Sequence, residues 1–244
     1  MEYSFSIAEL RARLPACQTD EDLALWAKGG KKLDREGTFA KAKNIPMMKA
    51  RRMDAGCRLS VDLGLEMFTR HPDTGAVVYS SRHGELVRNY NILHALATGT
   101  DVSPTDFTMS VHNAAVGSFT ISSGAQIPST SVSAGHDSFC QGLFEVLALF
   151  AQGIGKVLMV YFDTRLPEAY LPYLPEDAAG CAYAHAIAMV LTPGDGFTFA
   201  IEESGGRGAG EMPQELAFLK SYLLSEASFR VSGQRLEWVF KRQS

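Results

Sequence analysis

The sequence lacks the features that mark several functional classes. Its four cysteines, Cys17, Cys57, Cys140 and Cys181, form no CxxC pair and have no histidine cluster beside them. That argues against both a disulfide framework and a structural zinc site, and four separate buried or half-buried thiols are the expected outcome. The six histidines, at 71, 83, 94, 112, 136 and 185, show no HExxH spacing, so no metal is expected. The opening MEYSFSIAELRARLP has no apolar stretch behind a basic start, and nowhere do roughly 18 apolar residues run together, so neither a signal peptide nor a membrane span is expected, and the cytoplasm is the expected location. There is no long run of either charge sign: 23 basic and 27 acidic residues give a net charge of -4, with no footprint for nucleic acid.

What remains is an ordinary globular composition, 46% hydrophobic and 20% charged, in 244 residues, enough to bury a core without staples. We read residues 1–244 as one domain, with the weakest pattern over 1–51 and a C-terminal extension over 194–244. A short opening element covers Tyr3–Ile7, then Glu21–Ala27, followed by a polar, glycine-bearing loop from Lys28 to Lys43. The spacing predicts a helix over Met53–Thr69, a buried strand at Ala76–Ser80, and a helix over Glu85–Ala97. Residues 97–107 are rich in turn formers, and a small-residue helix resumes at Asn113. A short strand at Thr130–Ser133, an apolar helix over Asp137–Gln152 and a continuous apolar strand at Lys156–Phe162 make a second βαβ unit. Ala182–Thr192 and Phe197–Glu202 read as two strands around the turn TPGDG, followed by a helix near Pro213–Leu224 and a last strand at Leu236–Phe240. The class is α/β.

Two motifs invite chemistry without completing it. GRGAG at Gly206–Gly210 follows no buried strand and completes no phosphate-binding frame, so it reads as a linker. Ser138 sits in GHDSF, not GxSxG, although Asp163 and His185 follow it in hydrolase order.

The informative stretch is Phe107–Glu145, FTMSVHNAAVGSFTISSGAQIPSTSVSAGHDSFCQGLFE: a small-residue helix, a turn, a short strand, a tight turn and a long apolar helix. It resembles the N-terminal half of the β-ketoacyl synthases, members of the thiolase fold. Val116-Gly117 stands where that family has Ala-Gly, Pro128 precedes the elbow strand, and Leu143 and Glu145 fall in the first turns of the central helix. The run SPTDF to SVHNAAVG is more similar still to the short chain-length-factor-like subunits of bacterial aryl polyene pathways. The resemblance spans Arg52 to Pro193.

The resemblance implies a single thiolase-like half, with a mixed five-stranded sheet and helices on both faces. It places His136, preceded by Gly135, where the catalytic members carry their nucleophilic cysteine. Imidazole does not replace a thiolate as a stable acyl carrier. The two histidines and the lysine of the family's C-terminal half find no counterpart after Pro193, which is followed by His-free sequence. The implied role is a subunit with no catalysis of its own, residual acyltransferase activity remaining open. Its heterodimer partner would be a full-length ketosynthase. It would need no cofactor, because phosphopantetheine comes on an acyl carrier protein. Interface or tunnel candidates are His112, Asn113, Gly117, Phe119, Thr130, Ser133, Gly135, His136, Asp137, Ser138 and Phe139, with Thr130–Ser133 and the Val111–Phe119 helix at the dimer face. A half-length fold should expose an apolar face unless a partner or the segment from Gly194 onward covers it. For His136 and Asp137, helix capping is an alternative role. Two other functions stay open: an acyltransferase or hydrolase using Cys140 or Ser138 with His136 or His185, and a homodimeric module that binds acyl carrier protein.

Overall fold

The computed structural model describes residues 2–17, 19–34, 37–173, 183–203 and 212–243. Cys181, Ala182 and the linker at Gly206–Gly210 lie outside them. Seven strands form one sheet: β1 (Glu2–Arg13), β2 (Ala76–Ser80), β3 (Ser129–Val132), β4 (Val157–Asp163), β5 (His185–Glu203), β6 (Ser228–Ser232) and β7 (Leu236–Arg242). The order is β3-β2-β4-β5-β7-β6, with β1 antiparallel along β5. β3, β2 and β4 are mutually parallel, and β5 turns antiparallel to β4.

The helices are α1 (Asp20–Ala27), α2 (Met47–Ala50), α3 (Ala55–Arg70), α4 (Leu86–Thr98), α5 (Pro104–Met109), α6 (Ala114–Ser123), α7 (Ser138–Ala151) and α8 (Gln214–Leu223). Alternating residues of the central strands feed two separate cores. Val77, Tyr79, Leu158, Val160 and Phe162 face α3 and α6. Ala76, Val78, Val157, Met159 and Tyr161 face α7, joined there by α1, α8 and the β6–β7 hairpin. A strand buried on both faces needs no polar side, which is why β2 and β4 read as unbroken apolar runs.

Three expectations change. The sheet has seven strands, not five, because β1 is a full strand and β6 precedes β7. The two strands expected around TPGDG are one continuous β5. Its register against β1 passes from Thr192, opposite Ser6, to Phe197, opposite Phe5, so residues 193–196 bulge while β1 holds both halves in line. The turn-rich stretch at 97–107 contains the start of α5, with Ser103 accepting from the Asp106 N–H and Pro104 at the first position. The segment from Gly194 onward serves as the cover that the sequence allowed for: Leu216, Phe218 and Leu219 of α8 and Phe229, Val231, Trp238 and Phe240 of the hairpin pack on the α7 side.

Candidate functional site

The strand, turn and helix of the elbow are present: β3, a 3-10 turn at Gly135–Asp137, and α7. Gly135 takes φ +61°, a left-handed conformation that glycine adopts without strain. Ser138 closes the turn: its Oγ accepts from the Ala134 N–H at 2.9 Å and donates to the Gly135 carbonyl at 2.8 Å. Half-buried His136 stands at the apex, its Nε2 accepting from Arg82 at 3.0 Å.

A free N–H at a helix start attracts negative charge and favours a thiolate. Here that end is occupied. Gln214, the first residue of α8 and almost wholly buried, accepts through Oε1 from the Cys140 N–H at 3.2 Å and donates through Nε2 to Asp137 Oδ1 at 2.9 Å. Asp137 therefore does not cap α7 with its side chain. Gly233, in the β6–β7 turn, lies so close that an added Cβ would overlap Asp137 Oδ1. α8 and the hairpin thus press on the elbow from behind.

Around it, the loops at the C-terminal ends of β2, β3 and β4 are tied together by polar contacts. His112 Nε2 donates to the Ser81 carbonyl at 3.2 Å, and its Nδ1 lies 2.8 Å from Ser131 Oγ. Asp163 accepts from Ser81 Oγ, the His83 N–H and the Tyr161 hydroxyl. His185 contacts Glu215 at 3.0 Å and the Tyr183 carbonyl at 3.0 Å, with both partners buried. Burial lowers the His185 pKa, but the bond to Glu215 and its charge outweigh that and raise it. The hydrolase order Ser138, Asp163, His185 therefore has no matching geometry, because each side chain is committed to other partners. Cys140 is fully buried, and burial, followed by the charges of Asp137 and Glu215, pushes its thiol well up, away from thiolate.

The other sequence candidates divide in two. Phe119 and Phe139 are core residues, Phe119 edge-on to Phe68 and Phe139 beside Phe218. Asn113 and Ser133 are exposed, while Gly117 and Thr130 are half-buried, all along the β3 and α6 side. Among the described residues β3 pairs only with β2, so it stands at the edge of the sheet. The same side carries Leu93, Leu96, Phe107, Val111 and Ile121, each more than half exposed.

Reading for charge runs missed one feature. Residues 28–58 hold 10 of the 23 basic residues but only three of the 27 acidic ones, in a chain that is acidic overall. The cations are spaced, not consecutive, so only a window count reveals them. Lys41, Lys43, Arg51 and Arg58, with Arg11 and Arg13, outnumber Asp20, Glu21, Asp62 and Glu66 in the lining of a groove of about 1100 Å³ beside α3 and β1.

Comparison with known proteins places this geometry. No curated protein matches the chain. Among solved structures it is similar to a chain of the ketosynthase (ApeO) in complex with its chain length factor (ApeC) from Xenorhabdus doucetiae. Identity is 40% and the TM-score 0.92, over 98% of this chain and all of the other. The ishigamide ketosynthase/chain length factor follows at 11% identity and TM-score 0.72, over 99% of this chain and 100% of that one. The AntDE:AntF complex of a type II polyketide-synthase acyl carrier protein with its ketosynthase gives 10% and 0.67, with both chains fully covered. At such identities these two speak for the fold alone, a thiolase-like ketosynthase sheet. The family model described as "Beta-ketoacyl synthase, N-terminal domain" matches residues 24–241, most of the sequence, and the chain belongs to that family.

Proposed function

We propose that this chain is a non-catalytic, chain-length-factor-like subunit. It pairs with a full-length β-ketoacyl-acyl carrier protein synthase and helps shape the acyl tunnel, in aryl polyene or related fatty-acid and polyketide-type elongation. The observation that carries this reading is the elbow. Its strand, turn and helix are kept, while His136 occupies the apex and Gln214 fills the helix start where an acyl thiolate would be stabilised. A scaffold kept in shape without its nucleophile suits a subunit that completes another protein's site.

Two further observations support the partner. The α4–α6 and β3 side combines a strand at the sheet edge with large exposed apolar side chains. The solved relative at 40% identity comes from a complex of a ketosynthase with its chain length factor. The cation-rich stretch at 28–58 suits an acidic acyl carrier protein, which would bring the phosphopantetheine arm. Co-expression with the candidate ketosynthase followed by size-exclusion chromatography tests the pairing. The expected product is a 1:1 heterodimer; a soluble homodimer eluting apart from the ketosynthase would overturn it.

A further inference from the structure

α4 is anchored unusually. Its apolar Leu93 and Leu96 face water, and its single buried residue is Arg88. A guanidinium thus supplies the buried anchor of a helix whose apolar residues Leu86, Val87, Ile92 and Ala95 are only half-buried. Arg88 Nε donates to Glu85 Oε2 at 3.0 Å, Nη1 donates to Asp106 Oδ1 on α5 at 2.7 Å, and Nη2 donates to the Arg52 carbonyl just before α3. Asp54, at the start of α3, adds a third carboxylate, its Oδ1 accepting from the Cys57 N–H at 2.7 Å. Asp54 is also acted on by the Thr164 side chain after β4 and by Arg88 and Arg58, and Glu85 by Arg88 and the Cys57 thiol of α3, with Asp106 of α5 bound to the Arg88 guanidinium. Two oxygens in this cluster, Asp54 Oδ2 and Glu85 Oε1, are buried without a hydrogen-bond partner among the described residues. Leaving both carboxylates ionised there is costly, and one proton relieves it.

We infer that Asp54 and Glu85 hold one proton between them at neutral pH, and that this proton, acting through Arg88, keeps the α4–α5 layer seated on the body of the protein. The layer's role as a partner face rests on the function proposed above, whereas its seating is a property of this chain alone. Burial, then repulsion from Asp54, raises the Glu85 carboxyl to about 7, and burial raises Asp54 as well. A group whose folded pKa is raised contributes stability that is fully present below its unfolded value, 4.5 here, and lost as pH rises through the folded value. Once the proton leaves, Arg88 and Arg58 face three carboxylates, those of buried Glu85 and half-buried Asp54 and Asp106. α4 then keeps only half-buried apolar residues such as Leu86, Val87 and Ile92 to retain it, so this layer loosens before the sheet does. A partner face seated by a proton makes assembly sensitive to pH near neutrality.

Hydrogen exchange of the full chain without partner, from about pH 5.5 to about pH 8.5 and corrected for intrinsic rates, tests this. Protection within residues 86–109 should fall about tenfold or more across that range, while protection within α7 stays level. In Glu85→Gln, the amide still accepts from Arg88 and its N–H stands in for the bound proton, so protection should hold at the low-pH level throughout. In Asp54→Asn, the loss of repulsion should move the fall to lower pH. A flat wild-type profile, a fall shared by α7, or a Glu85→Gln profile matching wild type overturns the proposal. Should Glu85→Gln not fold, an unshifted fall in Asp54→Asn does the same. No ketosynthase is present, so a failed heterodimer leaves this result standing, and the reverse holds too.

Discussion

From His185 to Arg242 the described chain buries most of its large side chains against one another, whereas from Leu86 to Gly135 it leaves many of them in water. In the first region Phe218 is fully buried, with Phe139 and Phe240 each 5.2 Å away between ring centroids, and Trp238 lies 5.5 Å from Phe199. In the second, Phe107 is 70% exposed and Ile121 75% exposed, and a buried arginine does the anchoring of α4. The hairpin and α8 finish the core on the α7 face. The α4–β3 side instead leaves large apolar side chains in water. Within a single family fold, one region supplies stability and the other supplies surface.

The contrast breaks most sharply under truncation. Phe218→Ala should cost about 3–5 kcal/mol in chemical denaturation, because it opens a cavity between α7 and the hairpin. Phe107→Ala should stay within about 0.5 kcal/mol. Equal costs would erase the distinction between the two regions.

Next in size is Gly233→Ala. Its methyl group would displace Asp137 from Gln214, at a cost of about 1–2 kcal/mol, and proteolysis at the elbow should quicken. An unchanged variant would show that the hairpin does not brace the elbow.

A smaller effect is set by pH. The raised pKa of His185 means that its pairing with Glu215 stabilises the fold fully below the unfolded value, near 6.5, and less as pH rises through the folded value. The denaturation midpoint of wild type should therefore drop on the alkaline side, and His185→Gln should remove part of that slope. The Glu85 contribution runs in the same direction, so the two variants separate the sources. An alkaline slope that His185→Gln leaves intact would count against the pairing.

The smallest effect on the isolated chain is the most informative about function. Leu96→Asp and Ile121→Asp should shift stability by no more than about 0.5 kcal/mol, yet abolish co-elution with the ketosynthase. Wild-type co-elution by both variants would move the interface elsewhere.

Much of this fold could be read locally. The unbroken apolar runs at Ala76–Ser80 and Val157–Asp163 give both central strands, and Gly135 with the apolar helix after it gives the elbow. What escaped depends on distant partners. Pro193-Gly194-Asp195-Gly196 has turn chemistry, but β1 overrides it and keeps β5 in line. Nothing about Gln214 in the sequence announces that its amide reaches the N–H of Cys140, 74 residues earlier. Asp137 looks like a helix cap and instead receives that same amide. The polar seat of α4 escaped for a related reason: nothing in the helix pattern over Glu85–Ala97 announces that Arg88 is its one fully buried residue.

The most direct test is the intact mass of each subunit in the co-expressed complex after loading with an acyl donor. The account predicts one acyl adduct on the ketosynthase and none on this chain. An adduct on this chain that is lost in Cys140→Ser or Ser138→Ala would contradict it.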